Sequence, residues 1–273
     1  MIPKIIHYCW FGKGPMPKSQ RQCIRAWKKL MPDYQFMRWD ENSFEVNICE
    51  FTTAAYQKKK YAYVADVARL FALSEFGGIY LDTDVDVFKR FDDFLKYDFF
   101  TGIEVYEDFY TDHIADKYLN PDGTAIDSSK DVPKFEVLTS TIGSSKGCGV
   151  IEKLKAFYLG IQVTPDMVKD FRKYVNYDRL VARFLTEYGF KYRDETQLLE
   201  NNMIVFGTGT FGYMWCPKPE FEVTFHHNAM TWESENWTKH KRKEVFFDKY
   251  GLLGAYKLYK RVKNLLFHNN HTR

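Results

Sequence analysis

Residues 60–86 read KYAYVADVARLFALSEFGGIYLDTDVD. From Tyr61 to Phe76 there is neither Pro nor Gly, and Ala, Leu and Val dominate, which predicts a helix over Lys60 to Phe76. Gly77-Gly78 supplies the left-handed residues that end it. Ile79-Tyr80-Leu81 then reads as a short apolar strand opening into Asp82, Asp84 and Asp86. A helix delivered into a strand that terminates in carboxylates belongs to an α/β layer structure, whose ligands bind beyond the strand C-termini.

The flanking sequence extends this pattern. Residues 4–11 predict a buried strand, and the Gly- and Pro-rich residues 12–17 a turn. Ser19 to Met31 predicts a helix, with Cys23, Ile24, Trp27, Leu30 and Met31 at helical spacing, and Tyr34 to Trp39 a second strand. Further on, residues 105–134 are polar, acidic and turn-rich, which predicts a long surface loop. Strands are expected over Phe135 to Ile142, Met203 to Phe206 and Phe221 to His226, and helices around residues 147–160 and 176–188. No repeat or low-complexity linker interrupts the chain. The expectation is one compact α/β domain over residues 1–237 with a mixed, mostly parallel sheet, followed by a separate segment over 238–273.

Composition limits the function classes. With 45% hydrophobic and 27% charged residues in 273, the chain has material for a real core and does not read as disordered, collagen-like or coiled-coil. Every apolar run is broken well short of the ~18 residues of a membrane span. The N-terminal apolar stretch is interrupted by His7 and lacks a small-residue cleavage site, so no secretory signal is expected. Five widely spaced cysteines without a C-x-x-C pair suggest neither a disulfide framework nor a structural zinc, and point to the reducing cytosol. Aromatic residues make up 18%, which suits a groove for stacked or hydroxyl-rich ligands; codon usage in an AT-rich genome explains the same figure.

Charge is distributed unevenly. Residues 238–273 carry a net +8, so residues 1–237 carry −5 of the overall +3. Leu252, Tyr256, Tyr259, Val262 and Leu266 recur at steps of four and three, drawing one apolar stripe flanked by lysines. That suits either an anionic membrane surface or a helix packed on the body with a solvated basic face. Nucleic acid is not expected as a partner, because no recognised reader motif accompanies the charge.

Asp82 and Asp84 stand two apart at a strand end, so an extended backbone projects both carboxylates to the same side, where hard oxygens hold Mg²⁺ or Mn²⁺. Spacing alone decides nothing: with 20 Asp in the chain, D-x-D is expected once or twice by chance and occurs twice. Context adds weight. The preceding helix presents Asp66 and Arg69 three apart on one face, one turn away from the acidic strand end. A surface ion pair is the competing explanation of those two residues.

Three stretches, Ile2-Pro3-Lys4-Ile5-Ile6-His7-Tyr8-Cys9-Trp10-Phe11-Gly12, Ala65-Asp66-Val67-Ala68-Arg69 and Gly77 to Asp84, together resemble the DXD-containing sugar-binding glycosyltransferases of family 32. That family includes bacterial capsular polysaccharide glycosyltransferases and yeast-type initiating mannosyltransferases, and is distantly similar to the catalytic domain of the large clostridial glucosylating toxins. Gln197, the segment Tyr213 to Pro217, and His226-His227-Asn228-Ala229-Met230-Thr231-Trp232 extend the similarity, which leaves the basic tail outside. The resemblance implies a GT-A fold, a nucleotide-sugar donor, a divalent cation and retention of anomeric configuration. It implies that Asp84 ligates the metal directly and that Asp82 meets donor hydroxyls and the metal's water shell. Asp66 and Arg69 would bind the donor sugar, with Tyr80 beside them, and Arg69 would also reach phosphate. Trp10 would stack on the base, or serve as a core aromatic. Thr231 and Trp232 would donate to the diphosphate, and one of His226 and His227 would complete the metal shell, His226 being preferred. Thr231 stands where the family usually has Ser, and a mid-chain Thr-Gly-Pro segment common in the family is not recognisable.

The expected function is therefore a metal-dependent retaining hexosyltransferase. It would use Mn²⁺ or Mg²⁺ and a nucleotide sugar, UDP-hexose by analogy with the bacterial branch. The acceptor would be a saccharide or lipid-linked oligosaccharide of capsule assembly, and the protein cytoplasmic and peripheral on the inner membrane face. Two rivals stand beside it. Asp82 and Asp84 also fit the first motif of haloacid-dehalogenase-type phosphatases, although no Gly-Asp dipeptide exists for the acidic motif those enzymes need downstream. The other rival is a non-catalytic carbohydrate-binding module.

Overall fold

The computed structural model describes residues 1–212 and 222–227. In chain order the elements are β1 (Ile5–Cys9), α1 (Lys18–Leu30), β2 (Gln35–Trp39), α2 (Glu50–Gln57), α3 (Tyr61–Phe76), β3 (Gly78–Leu81), β4 (Val85–Val87) and β5 (Phe99–Val105). There follow α4 (Glu107–Thr111), α5 (Ile114–Tyr118), β6 (Phe135–Val137), β7 (Thr141–Ser144), α6 (Gly149–Leu159), α7 (Pro165–Lys169), α8 (Phe171–Tyr174), α9 (Tyr177–Leu185), β8 (Gln197–Leu199), β9 (Met203–Phe206) and β10 (Thr224–His226).

The main sheet has the order β2-β1-β3-β7-β5-β9-β8, with β6 also paired to β5. Strands β1, β2, β3, β5 and β9 run one way, and β6, β7 and β8 run against them, so the sheet is mixed and mostly parallel as expected. Side chains alternate between its faces. Cys9, Tyr80, Phe99, Met203 and Val205 pack with α2, α3, α6 and α9 on one side. Ile6, Tyr8, Ile79, Leu81, Phe100 and Ile204 pack with α1 and β4 on the other. The chain leaves β1 by α1 on one face and reaches β3 by α3 on the opposite face. A crevice thus opens beyond the C-terminal ends of the adjacent parallel strands β1 and β3.

Helix α3 is apolar almost all round and correspondingly buried from Val64 to Ser74. Gly77 (φ 65°) ends it and Gly78 (φ 111°) starts β3. A Cβ on Gly78 would lie 2.7 Å from the Ile5 carbonyl oxygen, so the helix can enter the sheet beside β1 only through glycine. Helix α1 buries Cys23, Ile24 and Trp27, and the Trp27 indole Nε1 donates to the Val85 carbonyl at 2.8 Å. That bond anchors the chain just past Asp84.

His7 is fully buried in β1. Trp39 Nε1 donates to its Nδ1 at 3.1 Å, so the ring carries its proton on Nε2, which donates to the Gly77 carbonyl at 2.7 Å. Burial lowers its pKa to about 4, against the Gly77 carbonyl, which favours the charged form. Between pH 6.5 and about 4 the unfolded chain therefore binds a proton that the folded chain does not. The destabilisation is absent above pH 6.5 and grows to about 3 kcal/mol as pH falls to 4. Urea denaturation should show stability declining from pH 7 to pH 5 in the wild type and a shallower decline in His7→Gln. Equal slopes in the two proteins would assign the pH dependence to other groups.

Several local expectations are corrected. The D-x-D segment is not an extended strand: β3 ends at Leu81, and the Val85 amide donates to the Asp82 carbonyl at 3.1 Å, closing a turn. Residues 105–134 are not all loop, because α4 and α5 lie within them and Phe109 is buried against Phe135. The single strand expected over 135–142 is two: β6 pairs with β5 alone among the described strands, and β7 lies between β3 and β5. Tyr213 to Pro217, Thr231, Trp232 and the whole basic segment 238–273 lie outside the described residues. Among the described residues no helix is long and apolar enough to cross a membrane.

Candidate active site

A cavity of about 420 Å³ opens at the C-terminal ends of β1, β3 and β5. Trp10 and Phe11 follow β1 into it, Asp82 and Asp84 follow β3, and Glu104 and Tyr106 come from the end of β5. Asp66 and Arg69 reach it from α3. All the expected site residues that fall among the described ones line this one cavity: Trp10, Asp66, Arg69, Tyr80, Asp82, Asp84 and His226.

Arg69 is buried, so it is not half of a surface ion pair. Its guanidinium meets Asp66 Oδ1 at 2.9 Å and Asp82 Oδ1 at 3.6 Å, and its Nη1 donates to the Thr139 carbonyl at 2.8 Å. It lies over the rings of Tyr80 (4.3 Å) and Tyr177 (4.7 Å), as a planar cation favours. Burial pushes the Asp66 carboxyl up to about 7, against the opposing pull of Arg69. The Tyr80 hydroxyl donates to Asp82 Oδ1 at 2.8 Å, which fixes that carboxylate at the turn. Trp10 is half-buried at the rim rather than in the core, and its Nε1 donates to the Gly14 carbonyl at 2.8 Å, setting the ring's tilt.

The pairing of β10 with β4 places the two histidines. Val85 stands opposite His226, which puts the His226 ring beside the D-x-D turn. His226 Nε2 is 3.3 Å from Asp84 Oδ1 and 3.7 Å from Asp82 Oδ2. His227 turns the other way, with Nε2 2.8 Å from Asp86 Oδ2. Burial opposes the His226 imidazolium, but Asp84, then Asp82, outweigh it and raise the pKa to about 9. The two carboxylates thus favour positive charge at this spot. One ligand atom each from Asp82, Asp84 and His226 lies within 4.8 Å of the others. Two hard oxygens and an imidazole are a donor set suited to Mn²⁺ or Mg²⁺.

The opposite wall was not foreseen. Thr139 and Ser140 lead into β7, Asn176 caps α9 by accepting the Arg179 amide, and Tyr177 and Asp178 begin that helix. The Thr139 hydroxyl donates to Asp178 Oδ1, and burial raises the Asp178 carboxyl above its ordinary value. Ser140 Oγ, the Tyr177 hydroxyl and Arg69 Nε are buried on this wall without a hydrogen-bond partner. Such groups are costly unless a ligand or water meets them. Nothing local in the sequence ties Asn176 or the helix it caps to a cavity formed by α3 and β3. Gln197, by contrast, is not on the cavity: its amide nitrogen donates to the Lys191 and Arg193 carbonyls and holds the loop before β8.

Residues 17–101 match the family profile described as a glycosyltransferase sugar-binding region containing a DXD motif. The inositol phosphoceramide mannosyltransferase 3 of Schizosaccharomyces pombe is 38% identical over 103 residues, covering 35% of this chain and 28% of that protein. An uncharacterized glycosyltransferase, L373, of Acanthamoeba polyphaga mimivirus is 33% identical over 124 residues, covering 42% and 48%. The chain thus spans less than half the length of these relatives. A crystal structure of a glycosyltransferase involved in glycosylation of the major capsid of PBCV-1 aligns over 88% of this chain and all of that one, at 14% identity and a TM-score of 0.43. Arg69, Asp82 and Asp84, which line the cavity, fall inside residues 17–101, the stretch similar to the DXD-containing sugar-binding region of glycosyltransferases.

Proposed function

We propose that the protein is a GT-A-type glycosyltransferase that moves a hexose from a nucleotide sugar to a saccharide acceptor with retention of configuration. One observation carries this reading. Asp82, Asp84 and His226 converge in a cavity that also holds the fixed Arg69 guanidinium and, without partners, the buried Ser140 Oγ and Tyr177 hydroxyl. The first group suits a divalent cation, and the second suits a ligand dense in hydroxyl and phosphate oxygens.

In this reading Asp84, Asp82 and His226 hold Mn²⁺ or Mg²⁺, which when bound offsets negative charge on a departing diphosphate. Arg69, held by Asp66, the Thr139 carbonyl and two rings, offers a fixed positive charge to a sugar or phosphate oxygen without having to reorganise. Tyr80 keeps Asp82 in place, and Trp10 offers its face to the base. Asp178, Ser140 and Tyr177 supply contacts to sugar hydroxyls. No residue is assigned as a covalent nucleophile, because displacement from the face of the leaving group needs none.

UDP is the favoured nucleotide, and assembly of a surface polysaccharide such as capsule the favoured setting, both by the family resemblance. The mannosyl transfer named in the fission-yeast relative makes mannose a donor to include. Calorimetric titration of UDP and GDP into the full chain tests the site. Mn²⁺ should tighten one of the two nucleotides at least tenfold over the same titration with chelator present. Equal affinities with and without metal would remove the cation from the reading.

A further inference from the structure

On the far side of the D-x-D turn, away from the cavity, three side chains of metal-binding type meet from three different elements. Cys23 comes from α1, Asp86 from β4, and His227 from just past β10. Cys23 Sγ lies 3.5 Å from Asp86 Oδ1, and His227 Nε2 lies 2.8 Å from Asp86 Oδ2. One ligand atom of each falls within 4.8 Å of the other two. None of the three lines the cavity. We infer that Cys23, Asp86 and His227 form a zinc-type metal site distinct from the Asp82, Asp84 and His226 group.

The donor set argues for this ion class. A tetrahedral zinc with bonds of ~2.0–2.3 Å places its ligand atoms roughly 3.2–3.8 Å apart, so the three groups are within about 1 Å of the required spacing. A sulfur and an imidazole select zinc over the Mg²⁺ or Mn²⁺ that suits an oxygen-rich site. Cys23 is buried at the base, whereas the His227 and Asp86 side chains are 46% and 39% exposed, which leaves an approach for the ion and room for water as a fourth ligand. On binding, the Cys23 S–H bond breaks, its proton goes to solvent and a metal–sulfur bond forms, with no change of oxidation state. The resulting thiolate and the Asp86 carboxylate neutralise the two charges of the ion.

The location gives the site a consequence. Strand β10 has three residues and pairs only with β4 among the described strands. An ion held by Cys23, Asp86 and His227 ties residues 63 and 141 positions apart. It thereby pins the strand that carries His226 against the D-x-D turn. This inference does not depend on the nucleotide-sugar reading.

Cobalt reports the site directly. The full chain, stripped of metal with a chelator, is titrated with Co²⁺ while the sulfur-to-cobalt charge-transfer band is followed in the near ultraviolet. One equivalent should produce the band in the wild type and in Asp84→Asn, and Zn²⁺ should displace it. The band should vanish in Cys23→Ser, and His227→Gln should need at least tenfold more Co²⁺, with circular dichroism showing both variants folded. Absence of the band in the wild type overturns the proposal, as does a band that survives in Cys23→Ser and so reports another thiol.

Discussion

Replacing Asp84 by Asn should lower turnover of the nucleotide-sugar donor by roughly 10³-fold, the few kcal/mol that a fixed charge at a departing group supplies. The reason lies in the turn. Asp84 Oδ1 is the carboxylate oxygen nearest His226, at 3.3 Å, and Asp82 is already engaged by Tyr80. Asn keeps the shape and one oxygen but removes the charge that holds a cation. The fold should persist, because the turn is held by the Trp27 indole on the Val85 carbonyl and by the Val85 amide on the Asp82 carbonyl. Steady-state kinetics and a urea denaturation curve check the two halves together. Unchanged turnover would remove Asp84 from the metal shell, and a collapsed fold would make the residue structural.

Arg69→Met should cost about 3–5 kcal/mol of folding stability, the usual consequence of removing one partner of a buried ion pair. Asp66 and Asp82 would keep their carboxylates in the wall without the guanidinium that sits between them. The Thr139 carbonyl would lose its donor, and the Tyr80 and Tyr177 rings their cation. Because much of the cost is the stranded Asp66 carboxylate, the double variant Asp66→Asn, Arg69→Met should recover part of it. Urea midpoints of the wild type, both single variants and the double variant close the cycle. Additive losses would mean that the two residues do not act as a pair.

These two residues also show how far the sequence could be read. The helix from Tyr61 to Phe76, its Gly77-Gly78 end and the strand through Leu81 are legible because their signals are local: propensity, a left-handed cap and an apolar run. The placement of Asp66 and Arg69 on one helix face follows from the same period. Strand β5 and helix α2 carry weaker local signals. The first, FFTGIEV, carries Gly102 in its middle, and the second opens on Phe51, Thr52 and Thr53, weak helix formers. The choice between His226 and His227 was open because it depends on which residue faces Val85 across β4 and β10, more than a hundred residues apart in sequence. The wall made by Thr139, Ser140, Tyr177 and Asp178 was illegible for a similar reason. Its members are ordinary polar residues until α9 and the entry to β7 bring them against Arg69. The closed D-x-D turn is not legible because it depends on the Val85 amide bonding back to Asp82, a local closure that alternating carboxylates and small residues do not announce.

The central claim, a divalent-cation site serving a nucleotide-sugar donor, is tested most directly by nucleotide release. The full chain is incubated with UDP- and GDP-linked hexoses in Mn²⁺, with and without chelator, and free nucleoside diphosphate is measured. The account predicts release from one donor, abolished by the chelator. It is contradicted if no sugar nucleotide is turned over or bound while p-nitrophenyl phosphate is cleaved in a manner that Asp82→Asn abolishes, which would make the same turn the nucleophile of a phosphatase.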